Sequence, residues 1–370
     1  MRIESVRIRR MDLRRTDPGW KTSLYADSVL AGFVLEIEAE GATGLGATSG
    51  MPLQITDDAL DAQLRTLVAP TLQGADPLRR TATLDALRAD GVHRRALIAA
   101  DLALHDLLGR LAGRPCHALW GGSVRAAADG EAGVAGVASI EIVRMIGLKT
   151  PEALAEEAAS LVSQGIRHLK VKLSGQPKAD ADRLAALRDR VGSRRDGGPT
   201  LAVDANGAFD LDGAQAMLPA LIAYDVAIFE QPLPPRDLDG LRAFTRLSPV
   251  PVMADQGVTD VATALAVCRH EAARMVAVKL TKMGTVDECR RVAELCQAFG
   301  VEAHLGGSAA PAAVDVAGAH LVLASGAFNP VAEVGEFEAV SGDLFRGARI
   351  EAGRLRVTDE SGFGLTLAGA

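Results

Sequence analysis

The apolar pattern divides this chain into two regimes. From about residue 138 onward, apolar runs too short for buried helices alternate with stretches of helical periodicity. HLKVKL (168–173), LAVDANG (201–207), VAIFEQP (226–232), VPVMADQ (250–256) and VAVKLTK (276–282) read as strands that end in charged residues. From Lys172 through Asp204, Glu230 and Asp255 to Lys279, the intervals are 32, 26, 25 and 24 residues. An interval of about 25 holds one strand, one helix and two short loops, the unit of a parallel α/β barrel. SIEIVRMIG (139–147), GVEAHLGG (300–307) and NPVAEVGE (329–336) add strands at either end. Helices are predicted from Thr150-Pro151-Glu152 to Gly165 and around 180–191, 211–223, 237–246, 259–271, 285–298 and 309–325. Thr285 and Glu288 have the spacing of a capping box. Repeated right-handed crossovers of this size close a barrel.

The first 125 residues follow another rhythm. MRIESVRIRRMDL and VLAGFVLEIEAEG alternate as strands of an antiparallel sheet, and helical patterns follow at 57–69, 76–89 and 93–112. The last of these is apolar on nearly every face, which predicts burial, and Gly113 and Pro115 supply its stop. GATGLGAT (41–48) lacks the spacing of a phosphate loop and reads as a turn needing positive φ. The polar loop at 17–28 carries Trp20 and Tyr25, and a loop this long in a compact domain is often functional. Trp20 either covers a pocket or packs beneath the loop. The expected units are an α+β domain over 1–125, a barrel over 126–336 and a C-terminal segment over 337–370, the last with a short hairpin and a glycine turn.

Composition narrows the function. A net charge of −7 over 370 residues argues against nucleic acid as a partner, because phosphate binding needs a basic face. Only 4% of residues are aromatic, so stacking platforms do not dominate. Cys116, Cys268, Cys289 and Cys296 are scattered, as reduced buried thiols would be. With no signal-like core and no window resembling a membrane span, the expected compartment is the cytoplasm.

The strand-end charges suggest chemistry. Asp204, Glu230 and Asp255 would bring three oxygen donors to one rim, a set suited to a hard cation, Mg²⁺ first and Mn²⁺ second. The competing reading is that such acids cap helices or pair with arginines, which three consecutive strands make a poorer account. Lys170 and Lys172 share parity and so share a face, while Lys279 arrives from the opposite side. A partly desolvated lysine beside a divalent cation has a lowered pKa and serves as a base. That combination suits removal of a proton α to a carboxylate, with the metal stabilising the enediolate. His105 reads as a structural histidine.

K-x-K at 170–172, V-D-A-N at 203–206, F-E-Q-P at 229–232, M-A-D at 253–255 and V-K-L at 278–280 resemble the muconate-lactonizing-enzyme subgroup of the enolase superfamily. The resemblance extends to LALHDLLGRLAGRP, to the WGG at 120–122 and to AEVGEF at 332–337. It implies a (β/α)₇β modified TIM barrel with an N-terminal α+β capping domain that the C-terminal tail completes. It assigns Asp204, Glu230 and Asp255 to Mg²⁺ and makes Lys172 and Lys279 acid and base on opposite substrate faces. Lys170 would neutralise the substrate carboxylate, Asn206 would lie just outside the metal's ligands, and Glu333 would form the far side of the pocket. Gln256 stands where the family usually has an acid. The strand-eight D-x-D of dipeptide epimerases is absent, and His304 resembles a strand-seven histidine but reads as pocket-lining. Trp20, Tyr25 and Met51 are the expected substrate-side residues of the cap.

The implied activity is that of an Mg²⁺-dependent isomerase of a small carboxylate, most plainly a racemase or epimerase of an N-substituted or cyclic amino acid. Muconate-type cycloisomerisation and hydroxy-acid dehydration use the same half-reaction, and a non-catalytic barrel is the remaining alternative. The family also implies a homo-oligomer. No membrane or nucleic-acid partner is expected.

Overall fold

A computed structural model describes residues 1–26, 29–51, 53–122 and 138–369. The expected boundary between 125 and 126 lies outside the described residues, as do residues 27 and 28 of the first cap loop. In the N-terminal unit, β1 (Ser5–Arg15), β2 (Val29–Ala39) and β3 (Ala42–Ser49) form an antiparallel meander. The long helix Arg94–Ala112 lies across β2 and β3 and is buried almost throughout. It ends, as read from the sequence, at Gly113 in the left-handed conformation. The 57–69 pattern is interrupted by a π turn at Leu64–Val68.

GATGLGAT is a strand from Ala42 onward rather than a turn, and positive φ is confined to its first residue, Gly41, and to Glu40 before it. Its glycines answer to packing. A Cβ on Gly46 would stand 1.9 Å from the Ala99 carbonyl oxygen, and one on Gly44 would stand 2.3 Å from that of Ala103. The helix can therefore approach β3 only where side chains are missing.

The second unit is a parallel barrel. Its strands are β4 (Ala138–Ile146), β5 (His168–Lys172), β6 (Thr200–Asp204), β7 (Val226–Glu230), β8 (Val252–Ala254), β9 (Met275–Val278), β10 (Glu302–Leu305) and β11 (Val331–Ala332). They run in sequence order from β4 to β10, and β11 returns to pair with β4. The parallel bridge Ala303–Phe328 and the Glu333 N–H to Leu305 carbonyl bond at 2.9 Å close the ring. Seven long helices separate the eight strands, which is the expected (β/α)₇β arrangement. Thr150 caps its helix through the Ala153 N–H, with Pro151 in the first turn. The capping box at Thr285 is only half made. Thr285 accepts from the Glu288 N–H, but Glu288 accepts from the Val261 N–H instead of returning to the cap.

The tail binds both units. β12 (Val340–Ser341) pairs with β1 of the cap. β13 (Phe345–Arg346) pairs with β16 (Thr366–Leu367), while β14 (Arg349–Glu351) and β15 (Arg354–Val357) make the expected hairpin. β15 then joins β4 antiparallel, so the tail extends the barrel's sheet as well as the cap's. The Phe363 N–H donates to Asp106 on the long cap helix at 2.7 Å. Cap and barrel are further clamped by Arg80, which bonds Asp101 at 2.7 Å and Asp287 at 2.6 Å. All four cysteines are buried free thiols, and among the described residues no helix is long and apolar enough to cross a membrane.

Candidate active site

Alternation along the barrel strands sorts the side chains into two sets. Leu169, Val171, Leu201, Val203 and Phe229 join the large core beneath the helices. Residues of the opposite parity enter the barrel. Met253, Met275 and Ala277, with Ile228 against them, form an apolar floor. One step further along the strands come Lys172, Asp204 and Glu230, aligned by the register of β5, β6 and β7. Asp255 and Lys279 follow directly on β8 and β9.

These charges meet. Lys172 Nζ donates to Asp204 Oδ2 at 2.5 Å, and Lys279 Nζ to Asp255 Oδ2 at 2.8 Å. Lys170 Nζ donates to Glu230 Oε2 at 2.8 Å and to Glu333 Oε1 at 2.5 Å. Lys172 and Lys279 thus stand at opposite ends of one row of buried carboxylates, with Glu230 in the middle. His304 Nε2 lies 3.3 Å from Glu333, and the Gly307 N–H donates to the other Glu333 oxygen at 2.8 Å. His304 is placed as a neighbour of Glu333.

Electrostatics follow from burial. Desolvation, then repulsion from Asp204, pushes the Glu230 carboxyl up to about 7 against the pull of Lys170. Its Oε1 is buried without a hydrogen-bond partner, and the Lys279 ammonium is 3.9 Å away. Burial alone would raise Asp255, but Lys279 and Lys282 hold it far below the carboxylate range. Burial would likewise lower Lys170 and Lys279. The surrounding carboxylates win at both and hold each well above the usual lysine range. The lowered lysine pKa expected from the sequence is therefore not met at Lys279 while its acids are turned toward it.

A divalent cation fits these donors. Three acids on consecutive strands converge on one layer, and the central one presents a buried oxygen with no donor. Among the described residues no three carboxylate, histidine or cysteine side chains are gathered as a ready-made cluster, because four ammonium groups divide the acids among themselves. Asn206 supports Asp204 from a left-handed backbone (φ 51°), giving its N–H to Oδ1 at 2.8 Å and its side-chain amide to Oδ2 at 3.1 Å.

Two residues were missed in the sequence. Lys282 donates to Asp255 Oδ1 at 2.7 Å and to the Asp255 and Ala277 carbonyls. Reading 276–282 as one strand hid it, since strand parity turns residue 282 away from 279. In fact the strand ends at Val278, and the short helix Leu280–Met283 brings Lys282 back by one turn. The Met283-Gly284 stop, with Gly284 left-handed, was the available signal. Gln231 is the other. Its Oε1 accepts the Asp255 N–H at 2.8 Å and its Nε2 donates to the Leu233 carbonyl at 2.8 Å. Gln256, by contrast, has a buried Oε1 with no partner.

The cap residues divide. Trp20 is buried and packs against the Arg15 guanidinium, 3.5 Å from the ring centroid. Tyr25 is half-buried beside it, with ring centroids 5.8 Å apart. Met51 is half-buried and accepts from Arg95. The first cap loop and the end of β3 touch the mouth of the barrel. Ser23 Oγ donates to the Ala205 carbonyl at 3.2 Å, next to Asp204, and Ser49 Oγ donates to the Ala309 carbonyl at 2.9 Å, past β10.

Comparison with known proteins agrees with this architecture. Residues 8–121 match the family described as the mandelate racemase / muconate lactonizing enzyme N-terminal domain, and 153–370 match the enolase C-terminal domain-like family. Muconate cycloisomerase 1 of Rhodococcus opacus is 32% identical over 76% of this chain and 73% of its own length. The L-Lys-D/L-Arg epimerase of Methylococcus capsulatus is 29% identical over 99% of both chains. The crystal structure of a dipeptide epimerase from Methylococcus capsulatus, complexed with Mg and the dipeptide L-Arg-D-Lys, superposes with a TM-score of 0.87 at 26% identity, covering 99% of each chain. The chain belongs to the mandelate racemase/muconate lactonizing enzyme family of the enolase superfamily, and it is an isomerase.

Proposed function

We propose that this enzyme removes a proton α to the carboxylate of a small organic acid, with Lys172 and Lys279 acting from opposite faces. The observation that carries this reading is their placement at the two ends of a single row of buried carboxylates. Asp204, Glu230 and Asp255 would hold a divalent cation, Mg²⁺ before Mn²⁺, and Asn206, Gln231 and Lys282 would keep Asp204 and Asp255 in position. The cation would supply stabilisation of the negative charge that grows on the substrate carboxylate as the proton leaves. Lys279 rests protonated beside Asp255, which suits it to deliver a proton on its face while Lys172 accepts one on the other.

A base on each side favours inversion of a stereocentre, so the proposed outcome is racemisation or epimerisation of an N-substituted or cyclic amino acid. A substrate with a free ammonium fits less well. β11 continues as Val334 and Gly335, and Glu336 is buried and accepts from the Met145 N–H at 3.4 Å, so no acid there is free to meet an ammonium. Similarity to a muconate cycloisomerase supports ring closure of an unsaturated diacid as the second reading.

The test is α-proton exchange in D₂O with Mg²⁺ present, followed by proton NMR on both enantiomers of N-acylated amino acids. Deuterium should wash into both. Cyclisation of cis,cis-muconate without exchange from any amino acid derivative would replace the first reading by the second.

A further inference from the structure

Arg95 is a buried cation whose partners are all neutral. It occupies the first turn of the helix Arg94–Ala112 and is 3% exposed. Its Nη1 donates to the Ser49 carbonyl at 2.8 Å and reaches Ser49 Oγ at 3.4 Å. Its Nε donates to Gln54 Oε1 at 3.2 Å and its Nη2 to the Met51 sulfur at 3.0 Å. Among the described residues no carboxylate pairs with it. Other buried arginines are better served. Arg144 and Arg183 each meet an acid at 2.7 Å, and Arg188 has four backbone carbonyls within 2.9 Å.

A thioether is a weak acceptor on a flexible stem, and a carboxamide oxygen carries no charge. Neither repays the cost of desolvating a guanidinium, whose planar fork is shaped for a carboxylate. Burial pushes Arg95 down to about 10. Its location supplies the missing anion. Its acceptors lie at the end of β3, where Ser49 docks onto the barrel mouth at Ala309, and on the loop that follows, where Met51 and Gln54 stand. The Tyr25 loop is docked at Ala205 on the other side of the carboxylate row. The guanidinium therefore sits behind the two cap segments that cover the reacting centre.

We infer that Arg95 binds a second carboxylate, at the end of the substrate remote from the reacting carbon, so that the substrate class is a diacid. Met51 and Gln54 give up their contacts to it when it enters. The inference rests on the function proposed above and names the substrate class for that site. Two diacids share this chemistry, an amino acid acylated on nitrogen by a dicarboxylic acid and an unsaturated open-chain diacid.

The experiment compares the Mg²⁺-loaded wild type with Arg95→Met and Arg95→Lys on matched probes. One arm uses N-succinyl- and N-acetyl-L-phenylalanine, read by α-proton exchange. The other uses cis,cis-muconate and its monomethyl ester, read by absorbance, and the arm that turns over identifies the source of the second carboxylate. In that arm wild type should favour the diacid in kcat/KM by about 10- to 100-fold, the weight of a charge-assisted bidentate contact. Arg95→Met should erase the preference mainly through KM, and Arg95→Lys should restore part of it. An equal ratio in wild type and Arg95→Met, or a monoacid preference in wild type, overturns the inference. Should neither arm turn over, the proposed reaction fails while Arg95 is still decided by thermal stabilisation with N-succinyl-L-phenylalanine. Stabilisation of wild type but not of Arg95→Met sustains the inference, and equal or absent stabilisation overturns it. The melting temperature of unliganded Arg95→Met completes the test. It should hold or rise, because an uncompensated buried charge is removed, whereas a purely structural arginine would cost stability on removal.

Discussion

The ammonium of Lys170 and the carboxylate of Glu333 are 2.5 Å apart across the closure of the barrel, and each side chain is 1% exposed. With Glu230 on its other side at 2.8 Å, Lys170 is already bracketed by two anions before any substrate arrives. The neutralising role that the family resemblance gives it would therefore fall to its third N–H, with two acids already drawing on its charge. Removing one partner of a buried ion pair leaves the other uncompensated, which costs about 3–5 kcal/mol. Lys170 keeps Glu230 in Glu333→Gln, so the variant is expected to lower stability by less than that, about 1–3 kcal/mol, the weight of one hydrogen bond to a charged group, measured by chemical denaturation. An unchanged midpoint would show that Lys170 does not depend on Glu333.

Gly306 makes room for Lys279. A Cβ at this position would stand 2.7 Å from Lys279 Cε and 3.1 Å from Cγ. Gly306→Ala is expected to displace the lysine, and a displacement of about 1 Å at a reacting group costs on the order of a hundredfold. The loss should fall on the enantiomer whose proton Lys279 handles, and less on the other. Equal losses on both enantiomers would indicate a general disturbance of the mouth.

How far the sequence could be read depends on which force set each feature. The eight strands, the seven helices and the row Lys172, Asp204, Glu230, Asp255, Lys279 were legible because period-two burial and even spacing leave a direct mark on the chain. GATGLGAT was misread beyond Gly41 because Gly44 and Gly46 answer to a helix some fifty residues further along, which no local pattern contains. Lys282 was missed because one short helical turn after Lys279 inverts strand parity. Gln231 sits in a left-handed backbone (φ 36°) that only the approach of β8 explains. Arg95 looked like an ordinary residue of a helical first turn, since nothing local says that its neighbours lack charge. Trp20 was left between two readings because no local pattern contains the Arg15 guanidinium that its ring meets.

Glu230 couples metal affinity to pH. Its folded pKa of about 7 lies above its unfolded value, so the stability this group contributes is full below about 4.5 and is lost as pH rises through about 7. A cation that takes up the carboxylate must displace that proton below pH 7. The Mg²⁺-induced gain in melting temperature is expected to grow from pH 5 to 7 and then level off. In Glu230→Gln the gain should be smaller and lose this pH dependence.

His105 and His320 make the fold sensitive to acid. Burial depresses both to about 3, and His320 is lowered further by His117, which lies 3.1 Å away between the Nδ1 atoms. An unfolded histidine takes up its proton near 6.5, so each contributes stability that is present above that pH and lost as pH falls toward 3. The slope per histidine is up to about 1.4 kcal/mol per pH unit. His320→Asn keeps an acceptor for the His117 N–H without the titration, and its melting temperature should fall less steeply between pH 6 and 4. An identical slope in both proteins would mean that His320 does not titrate on unfolding.

The central claim is that two lysines serve two faces of one substrate. It is tested most directly by measuring α-deuterium incorporation from each enantiomer of a turned-over substrate with Lys172→Ala and Lys279→Ala. One variant should lose exchange from one enantiomer and retain it from the other, and the second variant should show the reverse. Exchange from both enantiomers in both variants would contradict the assignment.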